Sequence, residues 1–347
     1  MSEISCLQCV RQAIAADVPV LLWGPPGTGK TASITALAHE QGVHLDVLIG
    51  STIDPTDLGR PVVQADGSIK LAPPPWAERI KSQLNAGKPA WLFLDELTSA
   101  PPSVQAALLR VVQERQVADI SLSGCQIIAA ANPIESATDA SELSDATVNR
   151  WIHIDWETNT DAWCAGELGG WGSPNSSLSA IRALVTSWIL QSPSALLEPP
   201  KEGAENIRGW PSPRSWTHFV KVLGSPEALK TPIGRKLAIG AVGHAAASEI
   251  ITWSTDISIP NPIDLLDGKK TLPKRGDKAN LAIGSVIAYT IVEQKRLPDM
   301  WNLIAKQRTD LAIQSGKKAM AACKAAGLDP AMTAGMKKLI AMIRDLQ

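Results

Sequence analysis

WGPPGTGKT, residues 23–31, is the stretch on which the reading of this chain turns. An apolar run at residues 19–23 leads into it, and a helical pattern over residues 31–40 leads out. Between them stands G-x-x-x-x-G-K-T, with Gly24, Gly29, Lys30 and Thr31 in the defining places. Strand, glycine-rich loop and helix start are the setting in which this spacing means a phosphate-binding loop. Glycines let successive backbone N–H groups turn inward around an anion, and the helix start adds the positive end of its dipole. Lys30 is then placed to reach the β- and γ-phosphates of a nucleotide, and the Thr31 hydroxyl to hold Mg²⁺. An ordinary glycine-rich turn does not explain why Lys and Thr follow.

Working outward, five short apolar runs lie at residues 19–23, 44–49, 90–94, 126–131 and 151–156, with helical spacing between them. Runs without polar alternation predict strands covered on both faces, hence a parallel α/β sheet that binds ligands at its carboxyl edge. A leading helix is expected over residues 1–17, with Ile4, Leu7, Val10 and Ile14 on one stripe. Two interruptions break the alternation. Residues 50–75 hold two extended pieces around Asp66-Gly67, a tight-turn signal, and residues 114–124 hold a second extended stretch at 117–122. Both are expected as hairpins projecting from the loop edge, the plainer alternative being surface decoration.

The third run ends WLFLDELT, which sets Asp95 and Glu96 at a strand tip. Beside a phosphate loop, Asp95 suits Mg²⁺ and Glu96 suits orienting and deprotonating a water. Without the loop, the pair would read as an acidic helix cap. The fourth run ends IIAAANP, so Asn132 caps a strand expected next to the first, its amide toward the γ-phosphate. Residues 141–149 read as a helix ending at Asn149-Arg150 before the fifth strand, a place open to a neighbouring subunit. A surface ion pair is the plainer use of Arg150. Further on, WPSPRSW sets Arg214 at a helix start from which it could close onto the phosphates.

In this order, GPPGTGKT, FLDELT, AANP, the Asn149-Arg150 step and SPRSW resemble an AAA+ ATPase. The two hairpin insertions are similar to those of its MoxR, or helix-2-insert, branch. The resemblance runs over residues 17–225. It implies a P-loop core of five parallel strands in the order 5-1-4-3-2, an α-helical lid, and a ring, usually of six subunits, with ATP at each interface. By the same resemblance Gly24, Pro25, Pro26, Gly27, Thr28, Gly29, Lys30 and Thr31 bind ATP, and Thr31 and Asp95 hold Mg²⁺. Glu96 matches the water-activating acid, Asn132 the first sensor, Arg150 the arginine finger and Arg214 the second sensor. MoxR-like proteins commonly remodel or mature a protein partner, often one with a von Willebrand factor A domain.

The remaining chain and the composition bound this reading. An α/β core over residues 1–157 and a linker with helical lid or C-terminal domain over 158–347 are expected. Past residue 158 helical spacing recurs at 178–190, 215–223, 232–254, 277–296, 299–326 and 330–345. A hydrophobic content of 45% across 347 residues supports a sizeable core. The formal net charge of −1 and the lack of a basic stripe argue against the main alternative, an ATP-driven nucleic-acid motor or loader. A small-molecule phosphotransferase is a third class, opposed by Glu96 and Asn132, which suit water as acceptor. With no signal-peptide pattern at the start and no run long enough to cross a bilayer, a cytoplasmic protein without membrane contact is expected. Cys6 and Cys9 form a C-x-x-C without a second pair, so the five cysteines are read as structural and reduced. Twelve tryptophans suggest only packing.

Overall fold

A computed structural model describes residues 6–133, 141–172, 175–200, 208–255, 260–329 and 334–344. Two compact units result, Met1–Glu157 and Thr158–Gln347.

The first unit is built on five parallel strands. They are β1 (Val20–Trp23), β2 (His44–Ile49), β5 (Ala90–Asp95), β8 (Gln126–Ala131) and β9 (Ile152–Asp155). Their order is β2-β5-β8-β1-β9, which is the 5-1-4-3-2 arrangement expected. Helices α1 (Cys6–Ala15), α2 (Lys30–Glu40), α3 (Pro75–Asn85) and α4 (Pro102–Glu114) cover the sheet. Along β5 the side chains alternate between two cores. Leu92 and Leu94 join Ile80, Val104 and Leu108 on one face, while Trp91 and Phe93 join Val20, Leu22 and Ile34 on the other. Both faces are thus apolar, which is why the run at 90–94 shows no alternation.

Two outer strands depart from full coverage. Val47, Ile49 and Ile152 are exposed, because β2 and β9 are the sheet edges, each with one neighbour. The helix expected over 141–149 shrinks to α5 (Asp145–Val148), with the Ser144 hydroxyl accepting from the Thr147 N–H as its cap. Ser141 is instead bonded back to Thr98, whose carbonyl accepts from its N–H at 2.8 Å, so the chain enters α5 without helical turns. The leading helix begins at Cys6, and Ile4 lies outside the described residues.

Both interruptions are hairpins. Strands β3 (Arg60–Val63) and β4 (Ile69–Ala72) pair antiparallel, as do β6 (Gln116–Val117) and β7 (Ile120–Ser121). Lys70 and Asp119 join the two hairpins through a 2.8 Å ion pair.

The second unit is helical. It contains α6 (Thr160–Gly169), α7 (Ser179–Gln191), α8 (Pro213–Leu223), α9 (Pro232–Val242), α10 (His244–Thr255) and α11 (Pro262–Leu266). After these come α12 (Gly276–Val292), α13 (Leu297–Ala305), α14 (Thr309–Ala325) and α15 (Ala334–Arg344). The expected helix at 232–254 is broken at Gly243, and that at 299–326 is broken between Ala305 and Thr309. The sequence reading missed α6 altogether. Its WCAGELGG segment is buried nearly all round, so it carries no one-sided stripe to recognise. Trp216 and Trp301 are fully buried here, as Trp91 is in the first unit, which gives those three tryptophans a packing role. Burial pushes the Cys125 and Cys164 thiols up to about 12, so they stay protonated and poorly nucleophilic.

Candidate active site

The phosphate loop is set by β1 and α2. Gly24 donates its N–H to the Ala131 carbonyl of β8 at 3.2 Å, so the loop leaves the sheet still tied to the neighbouring strand. Gly29 sits at φ 91°, a left-handed conformation that an L side chain rarely adopts, and α2 starts at the next residue. That combination turns the backbone sharply into a helix start. Within the loop the Thr28 hydroxyl donates to the Pro25 carbonyl at 2.8 Å.

Lys30 is only 6% exposed. Its ammonium donates to the Gly24 carbonyl at 2.5 Å, the Pro25 carbonyl at 3.0 Å and Asn132 Oδ1 at 3.0 Å. Two residues 102 positions apart are thus brought together by the pairing of β1 with β8. Thr31 Oγ1 donates to Asp95 Oδ2 at 2.5 Å, and the Glu96 N–H donates to Asp95 Oδ1 at 3.0 Å. A hydroxyl and a carboxylate oxygen in contact, beside a lysine at a helix start, fit a nucleotide polyphosphate with Mg²⁺. Mg²⁺ needs only one or two protein oxygens when phosphates and water complete its shell. Among the described residues no cluster of three or more His, Cys, Asp or Glu side chains offers a separate metal site.

Glu96 stands in the left-handed region, φ 54° and ψ 43°, which is strained for a residue with a side chain. Its Oε2 accepts from the Ser51 hydroxyl at 2.8 Å. Ser51 lies in the short turn that follows β2, and the backbones approach closely there. A Cβ on Gly50 would stand 2.4 Å from the Glu96 carbonyl oxygen. Gly50→Ala should therefore destabilise the protein by about 1–3 kcal/mol through overpacking and lower its turnover as Glu96 shifts. Thermal denaturation and phosphate release check this; a variant unchanged in both would contradict it.

Sequence reasoning missed three residues at this site. Ser51 is one. Thr98 is another: it is buried, and its hydroxyl lies 3.2 Å from the Asn132 carbonyl and 3.3 Å from the Asn132 N–H. Trp156 is the third, donating its indole N–H to the Thr28 carbonyl of the loop at 3.3 Å. No local signal marks any of them, since the partners are 34 to 128 residues away.

Arg150 is not joined to its own loop by any hydrogen bond described. Its Nε donates to Gln113 of α4 at 2.9 Å, and its Nη1 donates to the Ala146 carbonyl of α5. Arg214 is exposed in the first turn of α8, in the second unit. Among the described residues, no helix is long and apolar enough to cross a membrane.

Residues 19–151 match a family model described as AAA domain (dynein-related subfamily). An "AAA ATPase forming ring-shaped complexes" from Bifidobacterium animalis subsp. lactis (strain AD011) is 36% identical over 91 residues, 26% of this chain and 17% of that protein. A "Proteasome-activating nucleotidase" from Methanoculleus marisnigri is 28% identical over 158 residues, 42% of this chain and 34% of that protein. The chain thus spans between about a sixth and a third of the length of these relatives. The Thermotoga maritima RuvB Holliday junction branch migration motor is 14% identical, covering 87% of this chain and 80% of that one, with a TM-score of 0.31. So low a superposition carries no argument about function. The family match takes in the phosphate loop, the Asp95-Glu96 strand tip, Asn132 and Arg150, and stops short of Arg214. Residues 19–151 of this chain are an AAA+ ATPase domain.

Proposed function

We propose that this chain hydrolyses ATP with Mg²⁺ in a ring of like subunits and uses the cycle to remodel or mature a protein partner. The observation that carries the reading is the meeting of Lys30, Thr31, Asp95 and Asn132 at the carboxyl ends of three adjacent strands, with Glu96 next to them. ATP phosphates would take the Lys30 ammonium from the Gly24 and Pro25 carbonyls and lie along the N–H groups of residues 27–31. Thr31 and Asp95 would hold Mg²⁺, which would supply positive charge against the phosphate being transferred. Glu96, released from Ser51, would accept a proton from the attacking water. Asn132 would hold the water or the γ-phosphate while still linked to Lys30. Arg214 would close from the lid.

The ring is supported by the likeness to the Bifidobacterium protein described as forming ring-shaped complexes. A partner carrying a von Willebrand factor A domain, and a ring of six, rest on the MoxR resemblance. The test is sedimentation of Glu96→Gln with Mg²⁺-ATP and with ADP. A closed oligomer in ATP is expected, and a monomer under both conditions would overturn the ring.

The hairpins suit gripping a partner. Val63 and Ile69 sit opposite one another on one face, 71% and 72% exposed, while Lys70 on the other face is tied to Asp119. Replacing residues 63–69 by a short turn should leave basal hydrolysis within about twofold, because the loop-edge hairpin lies outside the ATP-binding residues. The same change should remove any stimulation by a partner recovered with Glu96→Gln. Loss of basal hydrolysis instead would give the hairpin a structural role.

A further inference from the structure

His153 of β9 is bonded at both ring nitrogens. The indole Nε1–H of Trp23 points at Nδ1 over 2.8 Å, and Nε2 lies 2.8 Å from the Val148 carbonyl. An indole N–H only donates and a carbonyl only accepts, so in this link Nδ1 is the acceptor and Nε2 the donor. The two ring planes are nearly parallel, 12° apart.

The ends of this link are the two parts of the site that ordinary strand pairing does not join. Trp23 is the last residue of β1 and precedes Gly24, whose carbonyl accepts from Lys30. Val148 is the last residue of α5, a four-residue helix whose Ala146 carbonyl holds Arg150. Strands β1 and β9 are already held by their ladder, with His153 in register with Leu21, so the sheet does not need the side-chain bond. The short helix, one turn long, gains a tether at its C-terminal end. Residues 141–144 before it form no regular structure and are tied through Ser141 to Gln105 and Thr98, and at its far end side-chain ties run through Gln113–Arg150 and His153.

We propose that His153 is a positioning residue for Arg150, tying the arginine's turn to the strand that carries the phosphate loop. The proposal rests on the reading of Arg150 as the group given to the neighbouring subunit's ATP. The backbone of Trp23 and Gly24 is held by β8 on one side and β9 on the other, so the link anchors the turn to a fixed strand end. The indole, the imidazole and the Val148 carbonyl then hold in place the turn that presents the guanidinium.

The test uses Trp23→Phe, which keeps the ring but loses the N–H, and His153→Ala, at an exposed position. Each should lower turnover about 3- to 10-fold, the worth of one hydrogen bond, with the KM for ATP little changed. The double variant should be no worse than the poorer single one, because both break the same link. The decisive readout is a mixture of His153→Ala subunits with Glu96→Gln subunits, which keep His153 and Arg150 but do not turn over. Sites of His153→Ala subunits that face a Glu96→Gln neighbour should regain the parent rate. A mixture of Arg150→Ala with Glu96→Gln is the control. Recovery in the control without recovery for His153→Ala would overturn the positioning role and leave the arginine reading standing. Failure of the control would overturn both, and parent-like turnover in His153→Ala would overturn the positioning role alone.

Discussion

Lys30→Ala loses ATP binding, whereas Glu96→Gln binds ATP like the parent protein and turns it over about 10²- to 10⁴-fold more slowly, the range that general-base catalysis supplies. The division follows from where the two side chains sit. Lys30 is buried inside the loop, reaching Gly24, Pro25 and Asn132 at once, so removing it strips the cradle of its charge and breaks its side-chain bond to Asn132. Glu96 is absent from that cradle and bonded to Ser51 at its edge. Glutamine keeps the size of the side chain and its ability to accept from Ser51, but it does not take a proton from water. Titration with a fluorescent nucleotide and a phosphate-release assay separate the two effects. Normal hydrolysis by Glu96→Gln would remove Glu96 from the mechanism, and unimpaired binding by Lys30→Ala would remove the loop from it.

Arg150→Ala should lower turnover by about 10³–10⁵, the worth of a guanidinium placed on the transferring phosphoryl group. An arginine used only to brace the surface would contribute at most about 1 kcal/mol of stability and little rate. The local contacts, Gln113 and the Ala146 carbonyl, are of the second kind, so the two readings differ by orders of magnitude in one assay. Mixing then locates the action. Arg150→Ala subunits keep a complete ATP site of their own, and Glu96→Gln subunits keep the arginine. Each alone should be nearly inactive, and the mixture should hydrolyse ATP at interfaces that pair a good site with a good arginine. No recovery, despite proven co-assembly, would place the action of Arg150 within its own subunit or outside catalysis.

How far these contacts could be read in advance depends on the distance in sequence between the groups. The loop from Gly24 to Thr31 was legible because its geometry is local: Gly29 turns the backbone within one residue of the helix start. Runs such as 90–94 announced strands buried on both sides, and β5 shows why, with Leu92 and Trp91 entering different cores. Asp66-Gly67 announced a hairpin for the same local reason, and the hairpin is there.

Where a pattern could be met in more than one way, packing decided. Residues 44–49 and 151–156 were read with the inner strands, yet β2 and β9 are edges, and each carries a His and an Asp that the inner runs lack. Residues 141–149 carry helical spacing, but the Ser141 N–H goes to the Thr98 carbonyl, 43 positions back, and only a single turn of helix forms. Helix α6 has no polar face to reveal it, since the surrounding helices bury nearly all of it.

The amino-acid sequence alone thus marked the pieces whose geometry is local: the loop at a helix start, the acidic strand tip, the Asn at a strand end. Folding settled the contacts between those pieces, namely Lys30 with Asn132, Ser51 with Glu96, Trp156 with Thr28 and Trp23 with His153. The physical reason is that a dihedral preference acts on its own residue and its neighbours. A hydrogen bond across 45 to 130 positions exists only once the strands between its partners have found their register.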